Sequence, residues 1–239
     1  MFVPISDDNP LRHLPFQYVT VSLIAVNVLV YLFFVSGVFA DALEAAAYSF
    51  GLVPAVFNDF NALPAEYDVI PEGLTLITYQ FVHGGFLHLL SNMLFLWVFG
   101  DNVEDAMGHL RFLVFYLLCG VAAALMHDFA QPRSVAPLVG ASGSVSGVIA
   151  AYLMLHPKVK VWVLALWRIP LRLPAAWVLG FWVALQVFSA VTAGEGDPVA
   201  WWAHIGGLAA GAVLVVFMRR RGVPLFDRGL VASAPPARH

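Results

Sequence analysis

The sequence predicts an all-α polytopic membrane protein with six membrane-spanning helices. Hydrophobic residues make up 61% of its 239 residues and charged residues only 11%, whereas a soluble domain is typically about a quarter charged. The apolar residues are concentrated in runs long enough to cross a bilayer, which takes roughly 20 residues of helix. The net charge of -3, without a basic patch, argues against a nucleic-acid partner.

Six apolar runs define the predicted spans. They cover residues 18–38, 85–100, 110–126, 140–155, 175–193 and 199–218. The second and fourth runs are short for a full crossing. Between the fourth and fifth runs, the stretch "VWVLALWRIPLRLP" is interpreted as an interfacial segment whose charges face the cytoplasm.

The distribution of basic residues predicts the orientation of the chain. No Lys or Arg lies between Arg12 and Arg111, and with the N-terminus inside only Arg133 falls on the outer side. The positive-inside rule therefore predicts that both termini are cytoplasmic. The predicted parts of the chain are a cytoplasmic segment (1–17), a six-span domain (18–218) with a long outer loop (39–78), and a basic cytoplasmic tail (219–239).

Polar side chains inside three of the spans mark a candidate site, because such groups are costly in lipid and usually serve a function. His88 and Asn92 are four residues apart, so they lie on one face of the second span. At 1.5 Å per residue, Asn92 and His204 each lie roughly 10 Å below the outer ends of their helices. Ser142 reaches a similar depth if the fourth helix begins below the surface. The sequence thus predicts a polar layer that is open to the outer side.

Small residues supply the close approach that this layer requires. They are spaced four apart in the fourth span (Gly143, Gly147) and in the sixth (Ala203, Gly207, Gly211). Such rows allow two helix backbones to approach closely in lipid. Residues 204 and 211 point almost the same way, so the row in the sixth span carries His204 towards Ser142.

These residue types predict nucleophilic catalysis by a serine. A serine needs a base, which a neutral histidine provides, and attack on a carbonyl develops an oxyanion that needs donors already in place. Ser142 is the candidate nucleophile and His204 the base, while His88, Asn92 and the backbone N–H of Ser142 are candidate oxyanion donors. Because the inner parts of spans two, four, five and six contain no Asp or Glu, a dyad is predicted.

Four motifs, in this order, resemble those of the rhomboid family of intramembrane serine proteases. They are "HGGFLHLLSNM" (83–93), "GDNVEDAMG" (100–108), "GASG" (140–143) and "AHIGGLAAG" (203–211). The resemblance implies a six-span rhomboid-type bundle in which Ser142 and His204 cleave transmembrane proteins near the outer membrane face. It implies no cofactor or metal, an oxyanion hole lined by His88 and Asn92, and substrate entry beside the fifth span.

The resemblance also implies supporting roles for residues around the dyad. His83 is expected to be structural or to organise water, and Glu104 to anchor the cytoplasmic end of the second span. The motif glycines expected to support the site are Gly140, Gly143, Gly207 and Gly211. The predicted location is a bacterial inner membrane, with transmembrane substrates and the lipid bilayer as partners.

Other interpretations remain open at this point. One is a non-catalytic protein of the same fold that binds transmembrane helices. A second is a metal or haem site built from His83, His88 and His204. In a third, Ser142 is a small packing residue, and His88 and Asn92 form a polar clamp between helices.

The two serines that follow Ser142 are interpreted as packing or back-bonded hydroxyls. Ser146 shares a helix face with Ser142 and is therefore the rival nucleophile. It also departs from the family pattern, since many bacterial members carry there an aromatic residue that stacks on the catalytic histidine.

Overall fold

The computed structural model describes residues 2–36, 41–165, 168–194, 197 and 199–226. Within these ranges the helices are α1 (Tyr18–Val35), α2 (Ala42–Phe50), α3 (Pro54–Phe57), α4 (Glu72–Thr78), α5 (Phe86–Met107), α6 (His109–Ala130), α7 (Ser142–Leu155), α8 (Ala175–Thr192) and α9 (Trp201–Met218), with a 3-10 turn at Tyr79–Phe81. The strands are β1 (Phe2–Asp7), β2 (Lys160–Ala165) and β3 (Ile169–Pro174).

The polytopic helical membrane fold is confirmed. Helices α1, α5, α6, α8 and α9 are long and apolar enough to cross a membrane. Helix α7 has 14 residues, which extend about 21 Å at 1.5 Å per residue and fall short of a hydrocarbon core roughly 30 Å thick. The sixth crossing and the orientation of the chain stay predictions.

Helix α5 is longer than its predicted span, which was expected to end near residue 100. It has 22 residues and continues to Met107, where Gly108 ends it with φ +88°. The prediction failed because the last two turns contain Asn102, Glu104 and Asp105, which resemble a loop by composition. All three side chains are buried and form hydrogen bonds to the chain preceding α1 or to its first turn, as described below.

Helix α7 lies at the centre of the bundle, with every residue from Gly143 to Tyr152 buried. At two points of its contact with α9, no side chain separates the two backbones. A methyl group on Gly207 would overlap the carbonyl oxygen of Gly143, and one on Gly211 would overlap that of Gly147. We call this α7–α9 contact, at Gly143, Gly147, Gly207 and Gly211, the glycine seam.

A three-stranded antiparallel sheet, in the order β1-β2-β3, lies at the opposite end of α7 from Ser142. The chain is mostly helical, as predicted, and has this sheet in addition. Strands β2 and β3 cover most of the stretch predicted to be interfacial, and the location of that stretch relative to the membrane stays a prediction. Alternate residues of β2 are buried (Val161, Val163 and Ala165), as a half-buried strand requires. The pattern was missed because intervening Trp162 and Leu164 are apolar too.

Contacts with α5 fix the chain between β1 and α1. The side-chain amide of Asn9 donates to Asn102 at 2.5 Å, and the carboxylate of Asp105 accepts the backbone N–H groups of Arg12, His13 and Leu14. These contacts pack part of the predicted cytoplasmic segment (1–17) against α5.

The segment after α9 returns to both α5 and α7. The backbone N–H of Arg220 donates to the carbonyl of Ala106 at 2.8 Å, and that of Phe226 donates to Met154 at 2.5 Å. The rest of the predicted tail, residues 227–239, lies outside the described residues, as do residues 37 and 38 of the first predicted span.

Candidate active site

The loop that leads into α7 is fixed by hydrogen bonds to the segments that contain Leu52 and Tyr79. Leu138 exchanges two backbone hydrogen bonds with Leu52, and the N–H of Gly140 donates to the carbonyl of Tyr79 at 2.9 Å. Gly140 has φ +112°, a conformation that favours glycine. The chain then turns directly into the first residue of α7, Ser142.

The side chain of Ser142 faces His204 across the start of the glycine seam. The distance between Ser142 Oγ and His204 Nε2 is 2.9 Å, within hydrogen-bond range. On its other side, His204 Nδ1 lies 2.7 Å from Oε1 of Gln186 in α8. An amide oxygen accepts and never donates, so this contact favours the tautomer with the proton on Nδ1, which leaves Nε2 a lone pair for the Ser142 hydroxyl.

The backbone of Ser142 adds a second feature to the site. As the first residue of α7, it belongs to the turn whose N–H groups have no carbonyl partner within the helix. These groups also form the positive end of the helix dipole. A negatively charged oxygen that develops beside Ser142 would be stabilised by both effects.

His88 borders the loop before Ser142. A methyl group on Gly140 would lie 2.5 Å from Cε1 and Nε2 of the His88 ring, so the glycine leaves the space that this ring occupies. Asn92, one turn further along α5, donates from Nδ2 to the carbonyl of His88 at 2.9 Å. The second N–H of that amide is left for another acceptor.

His83 lies behind the same loop. Its ring centroid is 5.1 Å from that of His88, and its Nε2 accepts the N–H of Ala141 at 3.4 Å. Burial lowers the pKa of His83 to about 3, with a smaller contribution from His88. A neutral ring keeps the lone pair that this contact needs, which fits the supporting role the resemblance implies.

Glu104 lies away from Ser142, in the last turn of α5. Its fully buried carboxylate accepts the backbone N–H groups of Val19 and Thr20 at 3.0 and 2.8 Å and the Thr20 hydroxyl at 2.7 Å. His109 Nδ1 lies 2.5 Å from the same group. Glu104 thus joins the start of α1 to the α5–α6 junction, away from Ser142 and His204.

The comparisons with known proteins agree with this architecture. A family model described as the Rhomboid domain matches residues 71–221, well over half of the chain. This chain belongs to the rhomboid family. The matched region contains the loop before α7, the glycine seam, and both Ser142 and His204.

Individual relatives support the same assignment. Rhomboid-like protein 11, chloroplastic, from Arabidopsis thaliana is 32% identical over 179 residues, which are 70% of this chain and 60% of that protein. Rhomboid protein 1, mitochondrial, from Saccharomyces cerevisiae is 29% identical over 157 residues, 62% of this chain and 42% of that protein. This chain thus covers 60% or less of the length of these two relatives. Because both names refer to organelles, they give no support to the predicted bacterial inner membrane.

Two α8 residues of this rhomboid site were missed in the sequence analysis. Gln186 forms the hydrogen bond to His204 Nδ1, and Trp182 stacks near the His204 ring with centroids 6.3 Å apart and planes at 30°. A signal was present: Gln186 is the single amide or charged side chain between residues 175 and 193, and Trp182 precedes it by one turn.

Aromatic contact with His204 therefore comes from different helices than the family pattern suggests. Trp201 adds an edge-on contact with ring centroids 5.8 Å apart. At the position where an aromatic residue was expected, Ser146 donates its hydroxyl to the carbonyl of Ser142 at 2.7 Å. This is the back-bonded geometry predicted for it.

The metal-site alternative has no support in the side-chain geometry. Across the described ranges, no group of three or more His, Cys, Asp or Glu side chains is placed to hold a metal ion. His204 instead has its two ring nitrogens directed at Ser142 and Gln186.

Proposed function

We propose that this rhomboid chain is an intramembrane serine endopeptidase that cleaves transmembrane proteins near the outer face of the membrane. Family membership supports an intramembrane protease-type role. The observation that carries the finer proposal is the 2.9 Å contact between Ser142 Oγ and His204 Nε2, because it joins a hydroxyl to a base that has a free lone pair.

The first half of the reaction follows from this contact. His204 Nε2 takes the hydroxyl proton while Ser142 Oγ attacks the carbonyl carbon of the scissile peptide, whose oxygen becomes an oxyanion. The donors proposed for that oxyanion are the backbone N–H of Ser142, the His88 ring and the second N–H of Asn92. The C–N bond then breaks, and the amine leaves with the proton from Nε2.

The second half repeats these steps with water. A water molecule gives a proton to Nε2 and attacks the ester carbon that is bonded to Ser142 Oγ. Collapse of the intermediate breaks the C–Oγ bond, and the proton returns from Nε2 to Oγ. The products are two peptide chains, and the dyad regains its starting state.

The substrate must expose a peptide bond that is not hydrogen-bonded in a helix. Backbone groups of a spanning helix are satisfied internally, so we propose a preference for helix-breaking residues near the outer boundary and small residues at the cut. The outer position of the site rests on the predicted orientation with both termini in the cytoplasm.

Cleavage of a transmembrane substrate in reconstituted vesicles tests this function. Wild type is expected to release a product that Ser142→Ala and His204→Ala both fail to form, since each removes one member of the dyad. Ser146→Ala is the matched control: it removes a hydroxyl one turn away and is expected to retain cleavage.

Two outcomes would overturn the proposal. Cleavage by Ser142→Ala at the wild-type rate would exclude Ser142 as the nucleophile. A folded wild-type protein that binds the substrate without cutting it would instead favour the non-catalytic helix-binding alternative.

A further inference from the structure

We infer that Gln186 is a positioning residue, which sets the tautomer of His204 and makes that tautomer depend on how α8 packs against α9. The inference rests on the proposed function, because it concerns how His204 acts as a base. Its direct support is the 2.7 Å contact between Gln186 Oε1 and His204 Nδ1.

The protonation of His204 follows from this contact. An imidazole with one proton can hold it on Nδ1 or on Nε2, and only the first form leaves Nε2 able to accept from Ser142. The Gln186 oxygen stabilises that form, because it can accept a proton on Nδ1 and has none of its own to give. Gln186 thus orients the base as a triad carboxylate does, but without adding a negative charge.

The burial of Gln186 supports a specific role. Its neighbours Leu185 and Val187 are 42% and 49% exposed, as expected for a helix that faces lipid, whereas Gln186 is 5% exposed. A buried amide is costly unless it is hydrogen-bonded. The His204 contact satisfies the oxygen, while Nε2 makes only a long 3.4 Å contact with the carbonyl of Trp182.

The position of Gln186 on α8 makes the base dependent on that helix. Ser142 and His204 belong to α7 and α9, which are joined by the glycine seam, so their mutual distance does not require α8. The Gln186 oxygen and the Trp182 ring do require it. When this face of α8 moves away from α9, Nδ1 loses its acceptor and the catalytic tautomer loses its preference.

Replacement of Gln186 separates this role from a merely structural one. Gln186→Met keeps the length of the side chain and removes the acceptor, so kcat is expected to fall about 10- to 100-fold with little change in KM. Gln186→Glu keeps an acceptor and is expected to retain more activity than Gln186→Met. Its carboxylate also stabilises the imidazolium, so the acid limb of the kcat/KM profile moves up by about one pH unit.

The kcat comparison of Gln186→Met is controlled within the same helix. Val187→Met introduces the same side chain at the exposed neighbouring position and is expected to behave as wild type. Among the described residues, the other titratable groups that act on His204 are His88 of α5 and His127 of α6, which are unchanged in every variant.

A second readout does not depend on activity. In protein with 15N-labelled histidine, the His204 signals, identified by their absence in His204→Ala, are expected to report Nδ1–H in wild type and a tautomer mixture in Gln186→Met. Identical spectra, kcat of Gln186→Met within about two-fold of wild type, or an unmoved acid limb in Gln186→Glu would each overturn the inference. If wild type cleaves nothing, the proposed function fails, and the spectra still decide the role of Gln186.

Discussion

His204 belongs to α9 and is hydrogen-bonded to Gln186 of α8. These two helices differ in how closely they pack against the rest of the bundle. In α9 the backbone at Gly207 meets the backbone of Gly143 with no room for a methyl group. In α8 a methyl group on Gly180 would have no neighbouring atom within 4 Å, and large side chains such as Trp177 and Phe188 are 75% and 63% exposed.

This difference separates two requirements of a catalytic histidine. The glycine seam fixes the distance between Ser142 and His204, because two backbones in contact cannot slide or tilt without collision. Helix α8 supplies the partner for the other ring nitrogen from a surface that is loosely packed near the site. The distance is therefore a rigid property of the fold, whereas the tautomer depends on α8.

The start of α8 is held by hydrogen bonds to the segment that precedes β2. At its start, the N–H groups of Ala175 and Ala176 donate to the carbonyls of Val159 and Pro157 at 2.8 and 2.9 Å, and β3 leads directly into the helix. Motion of α8 is thus expected to pivot at the sheet and to be largest near Gln186 and beyond.

The largest expected effect comes from adding one methyl group to the seam. Gly207→Ala forces α7 and α9 apart, and we expect a loss of about 3 kcal/mol in the free energy of unfolding, together with loss of cleavage. Gly180→Ala adds the same methyl group to α8 in open space, where alanine favours the helix by up to about 1 kcal/mol.

Both variants are compared with wild type by reversible unfolding in mixed detergent micelles. The account requires Gly207→Ala to be the less stable of the two by a wide margin. If both variants unfolded at the same denaturant concentration, the seam would not be the rigid element described here.

A smaller effect is expected at the sheet that anchors α8. Asp7 of β1 accepts a hydrogen bond from the Tyr152 hydroxyl, and burial raises the pKa of Asp7 from 3.8 to about 6. A raised pKa means that the protonated form stabilises the fold: this contribution is complete below pH 3.8 and is lost as the pH rises through about 6.

Asp7→Asn removes this titration and keeps an oxygen for Tyr152. Relative to this variant, wild type is expected to lose on the order of 2 kcal/mol of unfolding free energy between about pH 4 and pH 7. Asp8→Asn is the control, since the Asp8 carboxylate is exposed and pairs with Arg172. A constant difference between Asp7→Asn and wild type across this range would show that Asp7 is not destabilised by burial.

The sequence predicted the close approach of α7 and α9, and of Ser142 and His204, better than it predicted α8 and the sheet. Ser142 and His204 could be placed together because small residues four apart dictate which helix faces meet. Gln186 could not be assigned to His204 in the same way, since a single polar residue in an apolar helix does not identify its partner.

The sheet was missed for a related reason. Strand β1 pairs with β2 across more than 150 residues, as in Val3 opposite Leu164, and nothing local in either segment indicates this pairing. The end of α5 was missed because composition alone predicts that Glu104 and Asp105 are exposed to solvent. Their carboxylates are instead buried as acceptors for other segments of the chain. Hydrogen bonds between distant segments determine the structure of both regions.

Covalent labelling, with identification of the modified residue, most directly tests the claim that Ser142 is the nucleophile and His204 its base. Folded wild-type protein is treated with a fluorophosphonate near neutral pH, and the modified peptide is identified by mass spectrometry. We predict a single adduct on Ser142 that is lost in Ser142→Ala and strongly reduced in His204→Ala, because the nucleophile needs its base. An adduct on Ser146, or equal modification of the Ser142→Ala variant, would contradict the account.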